Sequence, residues 1–112
     1  METQDLGKTS TGMQPNVTAL LSYLFGWITG LIFYLIEKEN KFVRFHAMQS
    51  MLVFGALMAF IFILAFVPVI GWALIPVIYV IELILWIVLM VKAYQGEKFK
   101  LPVAGDIAEQ NS

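Results

Sequence analysis

The chain has no cysteine, a single histidine and few charges. Without cysteine there is no disulfide framework, no thiolate metal site and no cysteine-linked lipid. The lone His46 cannot build a histidine-rich metal centre. Charged residues make up 13% of the 112, the net charge is -1 and the isoelectric point is near 5.7. That balance offers no basic surface, so nucleic acid is not an expected partner. No phosphate-binding glycine loop, metal-ligand spacing or cofactor motif occurs, so no catalytic, metal or cofactor-binding residue is assigned.

What the chain has in quantity is apolar sequence. Hydrophobic residues are 60% of the total and the mean hydropathy is +0.81. They lie in long uninterrupted blocks rather than at helix or strand periods, which marks membrane spans. The lipid bilayer is therefore the first expected partner. The expected fold is an all-α membrane protein of three transmembrane helices, with an amphipathic interfacial segment leading into helix two. Residues 1–16 read as a disordered tail. Residues 17–94 form the membrane domain, with helices at about 17–36, 47–66 and 72–91 and a charged loop at 37–46. Residues 95–112 form a second polar tail. Pro15 and Asn16 suit the start of the first helix. Pro68, Gly71, Trp72 and Pro76 place the last turn, leaving either Trp72 or Pro76 as the start of helix three.

Basic residues set the expected orientation. Lys38, Lys41 and Arg44 fall between helices one and two, and Lys92, Lys98 and Lys100 follow helix three, against Lys8 alone on the other side. This split puts the 37–46 loop and the C-terminus in the cytoplasm and the N-terminus outside a multi-pass cell-membrane protein.

Membrane helices associate through small residues and polar groups, because lipid tails are as apolar as leucine. Ser22, Gly26 and Gly30 recur every four residues in helix one, and Gly55 and Ala59 do so in helix two. They are the candidate packing residues, within the chain or between copies. Glu82 is the one charge between Ala47 and Val91. A charge at the bilayer centre costs on the order of 3 kcal/mol, so a neutral carboxyl bonded to Trp27 or Thr29 is the economical state. Structural packing, a subunit contact and proton or ion handling are its three readings.

His46 and Ser50 share a helix face, but no orienting acid or oxyanion site accompanies them, so a polar stripe with Gln49 is preferred to catalysis. In "NKFVRFHAMQ" the aromatic residues Phe42 and Phe45 lie apart from Lys41 and Arg44, which fits an interfacial turn at anionic headgroups or a docking surface.

Two stretches carry a resemblance when taken together. "EKENKFVRFHAMQS" contributes Phe42, Val43, Phe45, His46, Ala47 and Gln49; "KAYQGEKFKLPVAG" contributes Ala93, Gly96, Glu97, Phe99, Leu101 and Pro102. They resemble the hallmark pieces of a family of small prokaryotic membrane proteins that is Tic-twenty-like, distantly related to the twenty-kilodalton subunit of the chloroplast inner-envelope protein import machinery. That relative has four spans against three here. The resemblance implies a small helical membrane protein working within a complex, and it transfers no catalytic or ligand residues.

The expected function is a non-enzymatic interaction or assembly subunit that joins other membrane subunits or itself. Its surface would combine Phe42, Arg44, Phe45, His46, Gln49, Gly96 and Pro102. The alternative is a small oligomeric transporter or channel component, protein-translocation accessories included, that uses Glu82.

Overall fold

A computed structural model describes residues 7–112. It contains α1 (Pro15–Leu24), α2 (Trp27–Ile36), α3 (Lys41–Leu64), α4 (Ile70–Tyr94) and α5 (Ala104–Gln110). Among the described residues, α3 and α4 are long and apolar enough to cross a membrane.

The block expected as one first span is broken in two. Gly26 has φ +64 and ψ -132, a conformation that side chains resist, and the chain reverses there. The Thr29 hydroxyl clips the reversal, accepting from the Phe25 amide and donating to the Ser22 carbonyl, each at 3.1 Å. α1 then descends along α4: Asn16 Nδ2 donates to the Tyr94 carbonyl, and further down Trp86 Nε1 donates to the Tyr23 carbonyl. α2 returns along α3, from Trp27 at Met58 to Arg44 donating to the Tyr34 carbonyl. Each leg has ten residues, about 15 Å, or half the hydrocarbon thickness. The pair is a helical hairpin, the shape of a re-entrant element, whose tip ends midway along α3 and α4. Such a break is tolerated at membrane depth when its polar groups are bonded within the protein. Here Ser50 Oγ donates to the Gly26 carbonyl at 2.8 Å. The expectation of three transmembrane helices is not confirmed: among the described residues two helices are long enough to span, and the first apolar block forms this hairpin.

The hairpin brings its ends to one face. The carboxylate of Glu37 accepts from the Ser10 and Thr11 amides, and Asn40 Nδ2 donates to the Lys8 carbonyl. The N-terminal segment and the 37–46 loop therefore lie together, not across the membrane from each other as expected. Of the tail expected to be disordered, residues 1–6 lie outside the described residues. Lys8, Ser10 and Thr11 are hydrogen-bonded to the loop. Pro15 does open α1, but Asn16 is not its cap; its side chain goes to α4.

α3 starts six residues earlier than expected because the Asn40 side chain caps it, accepting from the Val43 amide at 2.9 Å. The amphipathic segment is thus the first turns of α3 and not a separate interfacial element. Between α3 and α4, Val69 adopts φ 69 and ψ -69, and the Ile70 amide donates to the Pro68 carbonyl at 2.8 Å. That is a γ-turn of the rare positive-φ kind. A Cβ at Gly71 would lie 2.1 Å from the Leu64 carbonyl oxygen, so only glycine fits this close return. Pro76 lies inside α4, so the start proposed there is not used.

The core gathers Ala19, Tyr23, Phe42, Phe54, Leu89 and Ala93 where the hairpin sits between α3 and α4.

Candidate functional site

The polar residues of α3 do not form a surface. Phe42, Phe45, His46 and Gln49 are buried. They close over the C-terminal segment, which folds back instead of trailing as a tail. α4 ends with Gly96 at φ +80, where the Gly96 amide donates to the Ala93 carbonyl and the Glu97 amide to that of Lys92. This double bond pattern is the glycine stop of a helix C-terminus, and it turns residues 97–101 toward α3. His46 Nε2 meets the Glu97 carbonyl at 2.8 Å, and Nδ1 meets the Tyr23 hydroxyl at 2.7 Å. A carbonyl only accepts, so Nε2 carries the proton and Nδ1 accepts from tyrosine. Gln49 Nε2 donates to the Tyr23 hydroxyl and the Phe99 carbonyl, at 3.0 and 2.8 Å. Its Oε1 accepts from the Leu101 amide at 2.9 Å. The two halves of the motif are one internal clamp: α3 side chains satisfy the backbone of the irregular segment 97–101.

The rings of Phe42, Phe45 and Tyr23 stand edge-on to His46, with centroids 4.7 to 5.4 Å away. Both ring nitrogens are committed. The hydroxyl of Ser50 is spent on Gly26, so the pair that shares a helix face makes no nucleophile–base contact.

Arg44 is half-buried and seals the other side of the clamp. Its Nη1 donates to the Tyr34 and Glu37 carbonyls at the C-terminal end of α2, where a cation also suits the helix dipole. Its guanidinium lies 3.9 Å from the Tyr34 ring centroid, and its Nε reaches the Ser112 carbonyl. Beyond the exposed Pro102, α5 is tied back by Lys100, 2.9 Å from Glu109 and 3.7 Å from Asp106. The Glu109 carboxylate pushes Lys100 above the usual lysine range. Of the seven residues expected to form a docking surface, four are buried, Arg44 and Gly96 have structural tasks, and Pro102 is exposed.

Glu82 is placed elsewhere. It lines a cavity of about 510 Å³ at the hairpin tip, with Phe25, Trp27, Phe54, Tyr79 and Trp86. It makes no hydrogen bond or ion pair to a described residue. The partners expected for it are engaged: Trp27 with the Met58 sulfur, Thr29 within the turn.

The packing residues divide. Ser22 is buried and bonds within α1. Gly26 is the turn, so the spacing of four does not define one face. Gly30 is the true contact: a Cβ there would meet the Ala47 carbonyl oxygen at 2.8 Å and Ser50 Cβ at 3.0 Å. A Cβ at Gly55 would find ordinary contact at 3.8 Å, and Ala59 is exposed. Sequence reasoning missed Tyr23, Asn40 and Glu37. The glycine after the last turn of α4 and the asparagine before α3 were readable as stop and start signals; a single tyrosine in an apolar block was not.

The family model described as "Magnetosome magnetite crystal formation protein family" (MamF/MmsF) matches residues 9–108. A UPF0132 membrane protein of Methanocaldococcus jannaschii is 58% identical over 107 residues, 96% of this chain and 96% of its own length. A second from that organism is 50% identical over 99 residues, 88% of this chain and 71% of its own. One from Archaeoglobus fulgidus is 52% identical over 98 residues, 88% of this chain and 95% of its own. No solved structure matches. None of these matches is to the chloroplast import machinery, and the distant relationship implied by the resemblance finds no support in them.

Proposed function

The chain belongs to the magnetosome magnetite crystal formation (MamF/MmsF) family, together with small prokaryotic membrane proteins, and from this we propose that it acts as a non-enzymatic assembly subunit within a membrane. The observation that carries this reading is the burial of the motif residues, which leaves α4 as the free flank. Of its 25 residues only Gly71, Leu89 and Ala93 are buried, while Val80, Ile84 and Ile87 stand at half exposure or more. The bonded clamp spends the polar side chains of α3 internally, so the contact offered to other subunits is this helix face, not the motif residues. Carried over from the family description, such a subunit would take part in magnetite crystal formation.

All seven basic residues now fall at one end: Lys8, Lys38, Lys41, Arg44, Lys92, Lys98 and Lys100. The turn between α3 and α4 has none. By the positive-inside rule both described ends and the 37–46 loop face the cytoplasm. A second reading, an oligomeric transporter or channel component, draws on Glu82 facing a cavity with no described partner; its protein-translocation form has only the resemblance behind it.

Cysteines placed at Ile84 and Ile87 in this cysteine-free chain test the assembly reading. Oxidative or bifunctional cross-linking in native membranes, followed by mass spectrometry after mild-detergent purification, should give one defined adduct, to a second copy or to a single partner. A monomer with no adduct from either position would overturn it.

A further inference from the structure

The cavity at the hairpin tip is walled by five aromatic side chains and one carboxylate. It exists because α1 and α2 stop halfway, leaving α3 and α4 without a third element beside them. Trp27, Met58, Tyr79 and Leu83 are all exposed, so the cavity opens on the apolar flank of α3 and α4, the side that acyl chains would cover. Both indole N–H groups are already used, Trp27 on the Met58 sulfur and Trp86 on the Tyr23 carbonyl. What the wall offers a ligand is therefore ring surface, the Tyr79 hydroxyl and the carboxylate of Glu82.

That inventory selects by charge. An anion would find no cation, since no lysine or arginine lines the space and the basic residues gather at the opposite end of the hairpin. A hard metal ion needs several oxygen ligands, and among the described residues no three histidines or carboxylates come together. An acyl chain would fit the walls but would leave Glu82 without a partner in hydrocarbon, which membranes penalise. A cation wrapped in apolar groups answers every feature: its charge offsets the cost of an ionised Glu82, which is otherwise better neutral in hydrocarbon, aromatic rings attract it through their negative faces, and its substituents dissolve in the bilayer that leads to the opening. The volume of about 510 Å³ falls within the usual range for a small-molecule site.

We infer that the cavity between the hairpin tip, α3 and α4 is a binding site for lipophilic cations of the quaternary ammonium or phosphonium class, with Glu82 as the counter-ion and the surrounding rings as the cage. This goes beyond the assembly role and does not depend on it, because the site is complete within one chain.

The full chain in lipid nanodiscs, titrated with tetraphenylphosphonium and followed by tryptophan fluorescence against empty discs, tests the inference. Saturable quenching is expected with tetraphenylphosphonium. Tetraphenylborate, of the same shape and opposite charge, should give none. Glu82→Gln keeps the size and removes the charge, and should weaken tetraphenylphosphonium binding by about tenfold or more. Equal responses to the two ions, or a Glu82→Gln protein that binds tetraphenylphosphonium as the parent does, would overturn the site. Should Glu82→Gln not accumulate, the comparison of the two ions on the parent chain decides alone.

Discussion

The two halves of α3 are built by different rules. From Lys41 to Phe54 it buries Phe42, Val43, Phe45, His46, Ala47, Gln49, Ser50 and Phe54; from Gly55 to Leu64 it buries only Leu64. The far half is the more hydrophobic in composition, yet it is the bare one. In water that would be a contradiction. In lipid it is the expected outcome, because apolar side chains gain nothing by leaving acyl chains for one another. Helices close where a glycine admits a backbone or a polar group needs a partner. Gly30, Ser50, His46 and Gln49 all lie in the first half or against it.

The comparison has a sidedness that labelling can break. With cysteines introduced singly, Ser10 and Lys98 should both react with an impermeant maleimide only from the cytoplasmic side, and Phe66 only from outside. The effect is all-or-none. Reaction of Ser10 and Lys98 from opposite sides would restore a first span across the membrane and remove the re-entrant hairpin.

Next in size is Gly30→Leu. Even a methyl group would press on the α3 backbone, so a leucine must separate α2 from α3. Overpacking of this kind costs roughly 3 kcal/mol, and the variant should accumulate poorly and unfold early in a denaturant titration. Gly55→Leu, in the bare half, should differ little from the parent. Equal losses at both glycines would mean that the halves do not differ.

Within the packed half the polar clamp can be sharpened by Gln49→Leu. The leucine has comparable volume but leaves the Leu101 amide, the Phe99 carbonyl and the Tyr23 hydroxyl each short of a bond. An unsatisfied buried group costs about 1–3 kcal/mol, here drawn mostly from the docking of residues 97–101. Hydrogen exchange at the Leu101 amide should accelerate about tenfold or more while the α4 amides hold their protection. Unchanged exchange at Leu101 would show that the segment is held by other contacts.

How much of this was legible beforehand differs between the halves too. The long helices α3 and α4, the turn near Pro68 and Gly71, and the membrane setting could all be read, since each depends on local composition. The hairpin could not. Twenty apolar residues satisfy the length rule for a span, and the Gly26 that breaks them looks like any small packing residue in a "GWITG" pattern. Its meaning depends on a φ of +64 and on Ser50, twenty-four residues away. The motif residues were recognised as belonging together, but their burial followed from the backbone of the irregular segment 97–101, and backbone partners leave no mark on a sequence. Glu82 was found at once, being the only charge of its region, while the cavity beside it exists only because the hairpin stops short.

The smallest expected effect lies at the far end of the bare half, and its sign is reversed. Val69 holds φ 69 in a γ-turn between α3 and α4, a conformation that a β-branched residue adopts at a cost of about 1–3 kcal/mol. Glycine removes that cost but adds freedom to the unfolded chain, an opposing term of roughly 0.5–1 kcal/mol. Val69 is 74% exposed, so little packing is lost with its side chain. Val69→Gly should therefore stabilise the protein by about 1 kcal/mol, read as a later midpoint in the same denaturant titration used for Gly30→Leu. A glycine that stabilises here while a leucine for glycine disrupts at position 30 would place the tight constraint of this chain in its packed half and only local strain in its bare one. A destabilised Val69→Gly would instead mean that the valine side chain has a contact worth more than the strain, and that the turn is as closely built as the clamp.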